Sequence, residues 1–158
     1  MSHRATGARL RAMTRADLPG VLAIEQACQS TPWSEGNFRD CLQSDYQCQV
    51  AAVDGATVAF MVLSSVLDET HLLNIAVAPA FQRRGLARWM ITEALTEAVL
   101  SGITVMYLEV RESNHGARNL YQQLGFQNTG RRLNTHRAGD SSHTVVWICA
   151  APPSTTQH

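Results

Sequence analysis

The sequence predicts a mixed α/β (α+β) domain in which four helices flank a mixed, mostly antiparallel sheet of about seven strands. Apolar segments of strand length alternate along the chain with segments whose apolar residues recur at helical spacing. The Asp54-Gly55 pair between the apolar runs 47–53 and 56–66 is a strong hairpin signal and favours an antiparallel pair. The chain has 158 residues, of which 45% are hydrophobic and 16% charged. Because this is enough to build one hydrophobic core, we expect a single domain over residues 1–150.

The first third of the chain predicts one strand and two helices. Residues 8–13 alternate weakly between polar and apolar and indicate the first strand. Residues 17–27 carry apolar side chains at helical spacing, which predicts the first helix. The segment 31–34 breaks this helix, and Ser34 is placed to cap a short second helix that contains Phe38.

The rest of the chain predicts two further helices and four further strands. The run 71–77 is almost wholly apolar except for Asn74, as expected for a strand buried on both faces. A long helix follows the turn 82–87 and ends at Gly102, and a shorter helix ends at Gly125. The shorter helix spans 114–124, and the last three strands span 103–111, 126–132 and 142–150. The tail 151–158 holds two prolines and little to bury, so we expect it to be flexible.

The overall charge and the cysteines argue against several classes of protein. The formal net charge is zero, so nothing favours broad electrostatic binding of nucleic acid or of an anionic membrane. The four cysteines form no C-x-x-C pair and no metal-like cluster with histidine, so we expect neither a metal site nor a disulfide framework. No stretch approaches the ~20 apolar residues of a membrane-spanning helix. We therefore expect a cytoplasmic protein that is neither secreted nor inserted in a membrane.

A basic turn between a strand and a helix predicts an anion site. Arg83, Arg84 and Gly85 precede a helix, and backbone N–H groups at a helix start can face a phosphate. The glycine permits a close approach, and the arginines add positive charge. No G-K-[ST] follows and no G-x-G-x-x-G is formed, which disfavours a nucleoside triphosphatase and a dehydrogenase. The alternative is that the two arginines belong to a solvated first helical turn.

This turn and the strand before it resemble a known signature. The string Gln82-x-x-Gly85-x-Ala87 after the 75–77 strand resembles the acetyl-CoA signature of the GNAT superfamily, [QR]-x-x-G-x-[GA]. The resemblance implies that the amides of the turn hold the coenzyme diphosphate and that the strand offers backbone groups to the pantetheine arm. It also implies a sheet that splays between its fourth and fifth strands to admit acetyl-CoA. The coenzyme-binding residues that it implies are Ile75, Ala76, Val77, Arg83, Arg84, Gly85, Leu86, Ala87, Arg88 and Asn114.

A second element extends the resemblance. Asn114 with Leu120-Tyr121-x-x-x-Gly125-Phe126 resembles the N-x-x-A-x-x-L-Y-x-x-x-G-F element that closes the coenzyme site in the superfamily. Taken with residues 32–34, 72–77 and 108–111, the pattern over residues 14–132 is similar to that of the bacterial ribosomal-protein-alanine N-acetyltransferases. The resemblance implies transfer of acetyl from acetyl-CoA to a protein N-terminus, that of a small-subunit ribosomal protein beginning with alanine. It implies no metal and no direct contact with nucleic acid or membrane.

Glu109 and Tyr121 are the two candidate catalytic residues. An amine attacks a thioester only when neutral, so it must lose a proton, and the departing thiolate must gain one. A free α-amine has a pKa of about 8, against about 10.4 for lysine, so a carboxylate such as Glu109 has less work to do on an N-terminus. Tyr121, with a reference pKa of about 10, can stay neutral and then protonate the sulfur. The resemblance assigns the same roles, a glutamate base and a tyrosine acid, with direct attack on the thioester.

Each of these residues also has a plainer interpretation. Glu109 can be a solvated charge in a strand, and Tyr121 can be a core aromatic packed on neighbouring leucines. Asn114 can simply cap the helix that it begins. Trp33 can line the acceptor groove or anchor two helices.

The segment 133–143 departs from the pattern of the closest family. Leu133-Asn134-Thr135-His136 stands where an aromatic pair is usual, and Ser141-Ser142-His143 stands where acids are usual. Acids there would attract a basic N-terminal peptide, so the resemblance defines the acceptor less well than the chemistry. An acetyltransferase for a small amine or a lysine, and a non-catalytic acyl-CoA-binding regulator, are the alternatives. His136 and His115 receive no role, because scattered histidines are more often surface groups.

Overall fold

The strands and helices begin and end close to where the sequence predicts them. The structure, a computed structural model, describes residues 2–3, 6–111, 113–134 and 143–150. In these residues the strands are β1 (Arg9–Ala12), β2 (Gln47–Val53), β3 (Ala56–Val66), β4 (Glu69–Val77), β5 (Val105–Arg111), β6 (Gln127–Asn134) and β7 (His143–Ala150). The helices are α1 (Leu18–Cys28), α2 (Glu35–Gln43), α3 (Leu86–Leu100) and α4 (His115–Gln123). The predicted mixed α/β fold, with seven strands and four α-helices, is confirmed within the described residues.

The chain divides into two compact units, and the first comprises Met1–Ser64 and Leu73–Glu93. Its strands lie in the order β1-β2-β3-β4, with β1 and β2 antiparallel and β2 and β3 antiparallel. The predicted hairpin between β2 and β3 is confirmed. Its two turn residues have positive φ, 50° at Asp54 and 83° at Gly55, which matches the twist that a two-residue hairpin requires.

Helices α1 and α2 supply one side of the core of the first unit. Phe38 of α2 is fully buried and meets Phe60 of β3 edge to face, with ring centroids 5.4 Å apart. The predicted cap is confirmed, since Ser34 Oγ accepts a hydrogen bond from the Asn37 N–H at 3.1 Å. Asn37 Oδ1 in turn accepts from the Ser34 N–H at 2.9 Å, which completes a reciprocal cap. The chain therefore enters α2 in a fixed direction.

The expectation that β4 is buried on both faces was wrong. Leu72, Asn74 and Ala76 are buried, whereas His71 and Leu73, which alternate with them, are exposed. Successive side chains in a strand point to opposite faces, so this pattern describes a strand with one covered face. The apolar run in the sequence of β4 is nearly continuous because apolar residues also occupy its outer face.

The second unit comprises Ser65–Leu72 and Ala94–His158. Its strands lie in the order β4-β5-β7-β6. The first half of β4 pairs in parallel with β5, from Glu69↔Val105 to Leu72↔Leu108. Strand β7 runs antiparallel to both β5 and β6. One parallel pair among antiparallel ones gives the mixed sheet that the sequence predicts.

Some expectations fall outside the described residues. The tail 151–158 and His136 are among them, and the single domain over 1–150 stays a prediction. Within the part of the chain that is described, no helix combines the length and the hydropathy needed to cross a membrane.

Candidate active site

The turn before α3 has the geometry of an anion site. Gly85 adopts φ 82°, a conformation that glycine tolerates and that side chains with a Cβ rarely adopt. Its carbonyl accepts the helical hydrogen bond from the Trp89 N–H at 3.0 Å. Leu86 and Ala87 lie before Trp89 in the first turn of the helix. Their N–H groups therefore have no carbonyl acceptor one turn earlier in the helix. A helix start of this kind favours an anion through both its N–H groups and its dipole.

The two arginines of the turn are exposed and differ in conformation. Arg83 has φ 64°, so a residue with a side chain occupies the left-handed region two residues before the glycine. The Arg84 guanidinium lies over the ring of Phe81, 5.3 Å from its centroid. Both arginines therefore add positive charge close to the helix start. The structure thus brings Arg83, Arg84 and Gly85 together before α3.

Gln82, the first residue of the signature, ties this turn to the end of β4. Its Nε2 donates to the Val77 carbonyl at 3.0 Å, and Cys28 Sγ donates to the same oxygen at 3.2 Å. A carbonyl has two lone pairs, so the Val77 oxygen is fully engaged inside the protein. Any backbone contact of Val77 with a coenzyme must therefore use its N–H. These two hydrogen bonds were not predicted from the sequence.

Burial disfavours ionisation of Cys28, the last residue of α1, which contacts the end of β4. It raises the pKa of the Cys28 thiol, and the nearby Glu25 acts in the same direction. The thiolate is the nucleophilic form, so a raised pKa favours an inert thiol at neutral pH. Cys28 therefore acts as a hydrogen-bond donor to β4.

A buried glutamate in α1 is the main feature that was not predicted from the sequence. Glu25 is 1% exposed, and its Oε1 accepts from Asn74 Nδ2 at 3.2 Å. Its Oε2 accepts from the Trp33 N–H at 2.9 Å. A signal was present, because Glu25 continues the buried stripe of Leu18 and Val21 at helical spacing. The carboxyl group joins α1, the segment before α2, and β4.

Trp33 behaves as a core anchor in this arrangement. Its ring lies 5.2 Å from the ring of Phe38, and it packs against the buried core of the first unit while partly exposed. The plainer interpretation of Trp33 is therefore confirmed. A second role in an acceptor groove stays a prediction.

Glu109 lies on the open face of β5. It is exposed, whereas its neighbours Leu108 and Val110 are buried on the opposite face. On the same face as Glu109, Tyr107 stacks against His71 of β4 with ring centroids 4.9 Å apart. This aromatic pair was not predicted from the sequence. The exposed carboxylate is compatible with a general base and equally with a solvated charge.

Tyr121 lies in α4 and is almost entirely buried. It is 7% exposed, and its ring lies 5.7 Å from the ring of Phe126. Burial raises the pKa of Tyr121 to about 12. The phenol is therefore protonated at neutral pH, as a proton donor must be. Its packing also confirms the core interpretation, so the residue can serve both purposes.

Asn114 caps α4. Its Oδ1 accepts from the Ala117 N–H at 3.1 Å, which confirms the plainer of its two interpretations. Contact with a coenzyme is not excluded by the cap and stays a prediction. Near the end of the same helix an open cavity of about 530 Å³ lies beside Phe126. It is lined by Arg118, Gln122, Gly125, Phe126, Gln127 and Asn128.

The predicted residues thus fall into two groups, one in each unit. Ile75, Ala76, Val77 and the turn with Arg88 belong to the first unit, and Glu109, Asn114 and Tyr121 belong to the second. The first group can bind an anion and present strand backbone. The second group offers one exposed carboxylate and one protonated phenol. Among the residues that the structure describes, no group of three or more His, Cys, Asp or Glu side chains is placed to hold a metal ion.

Comparison with known proteins adds independent information. The profile of the "Acetyltransferase (GNAT) family" matches residues 18–126 of the chain. The "[Ribosomal protein bS18]-alanine N-acetyltransferase" of Salmonella typhimurium (strain LT2) is 37% identical over 142 residues, covering 90% of this chain and 95% of that protein. The protein of the same name from Escherichia coli (strain K12) is 37% identical over 138 residues, covering 87% and 93%.

Solved structures are similar over nearly the whole chain. The crystal structure of the ribosomal-protein-S18-alanine N-acetyltransferase from Escherichia coli matches with a TM-score of 0.84 and 30% identity, covering 96% of this chain and 99% of that one. Ard1 from Thermoplasma volcanium matches with a TM-score of 0.83 at 23% identity, covering 92% and 99%. At that identity the second likeness supports the fold alone.

Proposed function

This chain belongs to the acetyltransferase (GNAT) family and is an N-acetyltransferase, and from that premise we propose that it acetylates the N-terminal alanine of ribosomal protein bS18. The acceptor is taken from relatives that are 37% identical over about nine tenths of the chain and carry that name. A ribosomal protein is made and assembled in the cytoplasm, where we accordingly expect the enzyme to act.

The start of α3 is the observation that carries the coenzyme part of the proposal. The turn combines a left-handed Gly85, the N–H groups of Leu86 and Ala87 at the helix start, and two exposed arginines. These groups fit the charge of the diphosphate of acetyl-CoA. The coenzyme supplies an acetyl group activated as a thioester. Ile75, Ala76 and Val77 offer strand backbone to the pantetheine arm, and Asn114 stands at the start of the helix that carries Tyr121.

Glu109 removes the proton that the attacking amine must lose. The carboxylate is exposed, so it can reach the α-amine directly or through one water molecule. The pKa of an α-amine is about 8, so about a tenth of it is already neutral at pH 7, and the pKa difference between the ammonium and the carboxylate is moderate. The pKa difference between the ammonium group and this carboxylate is larger for lysine, whose pKa is about 10.4. This difference favours an N-terminal acceptor.

Tyr121 returns a proton to the leaving sulfur. Its raised pKa keeps the phenol protonated until the carbon–sulfur bond breaks. A thiolate released in a poorly solvated site is also more basic than in water, which helps the transfer. The two groups therefore act in opposite directions, one as base and one as acid.

The decisive experiment compares acceptors and variants. Acetyl transfer from acetyl-CoA is measured on an Ala-Arg-starting peptide with a free α-amine and on the same peptide blocked at its N-terminus. We expect transfer to the free peptide alone, and a loss in kcat/KM of about 10²-fold in Glu109→Gln and in Tyr121→Phe. Glu97→Gln, an exposed glutamate of α3, is the matched control and should keep wild-type rates.

Three results would each contradict a different part of the proposal. Faster acetylation of free polyamines or internal lysines than of the alanyl N-terminus would reassign the acceptor. Coenzyme binding without turnover on any N-terminal peptide would indicate an acyl-CoA-binding regulator. Full activity of both active-site variants would leave the acceptor in place but remove the proposed acid and base.

A further inference from the structure

The side chain of His3 lies against the turn that opens α3. A Cβ built on Gly85 would lie 3.6 Å from His3 Nε2. Apart from Gly85 and its two chain neighbours, this imidazole nitrogen is the atom of the described chain nearest to that position, with no other within 4 Å. The ring also lies 5.4 Å from the ring of Trp89, one helical turn into α3, at 49°. The N-terminal segment thus brings a polar ring to the predicted diphosphate site.

Two backbone hydrogen bonds fix the position of the His3 main chain. The His3 N–H donates to the Ala8 carbonyl at 2.8 Å, and the Gly7 N–H donates to the His3 carbonyl at 2.7 Å. Ser2, beside His3, forms an antiparallel bridge with Arg9, the first residue of β1. The backbone of His3 is therefore held by these hydrogen bonds, and its imidazole packs against Trp89. A ring held in this way needs little reorganisation to bind a ligand.

The hydrogen-bond partner of Nδ1 is compatible with Nε2 acting as a donor to an anion. His3 Nδ1 lies 2.9 Å from Thr6 Oγ1, and the Ala8 N–H donates to the same hydroxyl oxygen at 3.2 Å. When the hydroxyl of Thr6 donates to Nδ1, the ring hydrogen of the neutral imidazole lies on Nε2. Nε2 is the nitrogen that faces Gly85. In this tautomer, and in the protonated ring, it is a donor.

We propose that His3 is a ligand of the coenzyme, donating from Nε2 to the diphosphate held at the start of α3. This inference rests on the proposed function, because it presupposes acetyl-CoA at that turn. The exposed Arg83 and Arg84 supply charge there, and the imidazole adds one directed donor from a different part of the chain. The class of ligand is a diphosphate ester.

Two substitutions separate hydrogen bonding from packing. His3→Phe keeps a ring against Trp89 but removes the donor. His3→Gln removes the aromatic ring but can place an amide N–H near the position of Nε2. Each variant, with any purification tag at the C-terminus, is assayed with acetyl-CoA and with S-acetylpantetheine, which has the same thioester but no diphosphate.

We expect His3→Phe to raise the KM for acetyl-CoA about fivefold or more, with little change in kcat, in the KM for the peptide, or in the rate with S-acetylpantetheine. His3→Gln should stay within about twofold of wild type. An unchanged KM for acetyl-CoA in His3→Phe, or an equal loss with both donors, would overturn the inference and leave packing as the role of the ring. A lower KM in His3→Phe would overturn it too, because the imidazole would then obstruct the site.

A further outcome tests the proposed function separately. If the wild-type protein used S-acetylpantetheine as efficiently as acetyl-CoA, the diphosphate would have no site at the turn. The coenzyme assignment would then fail, and the role of His3 would fail with it. Loss of acetyl-CoA binding in Arg83→Ala together with normal binding in His3→Phe would instead retain the site and remove only His3.

Discussion

Glu25 Oε1 accepts a hydrogen bond from Asn74 Nδ2 at 3.2 Å, so a fully buried carboxyl group of α1 is joined to β4 just before the predicted pantetheine-binding strand backbone. The other carboxyl oxygen accepts from the Trp33 N–H. Buried polar groups are costly when unpaired, so this pair holds three segments of the first unit in one arrangement. Stability and the alignment of β4 should both depend on it.

Exchanging the polarity of the pair provides a direct test. In Glu25→Gln one of the two N–H donors faces an amide nitrogen, which should lower the free energy of unfolding by about 1–3 kcal/mol. In Asn74→Asp two carboxyl groups face each other, which should cost about 2 kcal/mol or more. In the double variant the new amide at position 25 can donate to the new carboxylate at position 74 and still accept from the Trp33 N–H. It should therefore recover about 1 kcal/mol or more relative to additivity. Urea unfolding followed by tryptophan fluorescence measures all four proteins, and additive losses would show that the pair is not coupled.

The ion pair between Arg11 and Asp17 should make stability depend on pH in the acid range. Arg11 donates from both terminal nitrogens to the two oxygens of Asp17 at 2.7 Å, and the Thr14 N–H donates at 2.8 Å. Chiefly because of the Arg11 hydrogen bonds, the pKa of Asp17 is lowered to about 2. The stabilisation is therefore complete above the unfolded pKa of about 3.9 and is lost as the pH falls toward 2.

Asp17→Asn measures this contribution. Because Arg11 is partly exposed, we expect a loss of about 1–2 kcal/mol in the free energy of unfolding at pH 7, and a smaller difference from wild type at each step below pH 4. Urea unfolding between pH 7 and pH 3 provides the measurement. Asp45→Asn, at an exposed position, is the matched control and should change stability little at any pH. A constant difference between Asp17→Asn and wild type across this range would rule out the ionised pair as the cause.

Substitutions of Gln82 should raise the KM for acetyl-CoA more than the KM for the acceptor peptide. Gln82→Ala removes one donor from the Val77 carbonyl, and Gln82→Glu places a carboxylate against it. Both should raise the KM for acetyl-CoA, by roughly threefold and tenfold respectively, because the turn is no longer fixed to the end of β4. The KM for the peptide should change less. The control is Gln43→Glu at an exposed position of α2, and equal effects on both substrates would indicate a general loss of structure instead.

Local signals predicted most of the fold, whereas long-range contacts account for what was missed. The turn at Asp54 and Gly55 and the cap at Ser34 depend on a few adjacent residues, and both are as predicted. The burial of Glu25 depends on Asn74, far along the chain, and helical spacing alone gives only a weak signal for it. No sequence signal predicts the contact of the N-terminal segment with the turn before α3. Residues far apart in the chain make this contact, and no local spacing of residues encodes it. The residues of that turn were themselves predictable because a strand, a glycine and a helix start are contiguous.

The buried phenol of Tyr121 predicts the pH profile of catalysis. With an alanyl peptide, kcat/KM should rise as the α-amine loses its proton near pH 8, and with a lysine acceptor the rise should continue to about pH 10.4. A proton donor with an unshifted pKa of about 10 would cause the rate to fall above pH 10. Since the pKa of Tyr121 is raised to about 12, the alanyl profile should stay level up to the pH at which the protein unfolds.

Tyr121→Phe keeps the ring beside Phe126, so the variant should fold normally and lose about 10²-fold in kcat. Tyr46→Phe, at an exposed tyrosine, is the matched control and should reproduce the wild-type profile. Stopped-flow or steady-state rates from about pH 6 to about pH 10.5 provide the measurement, a range that spans the reference pKa values of the α-amine and of tyrosine. A fall centred near pH 10 in wild type that is absent from Tyr121→Phe would show that the phenol titrates normally. Burial would then not set its acidity, and the group would be more solvated during turnover than its position in α4 implies.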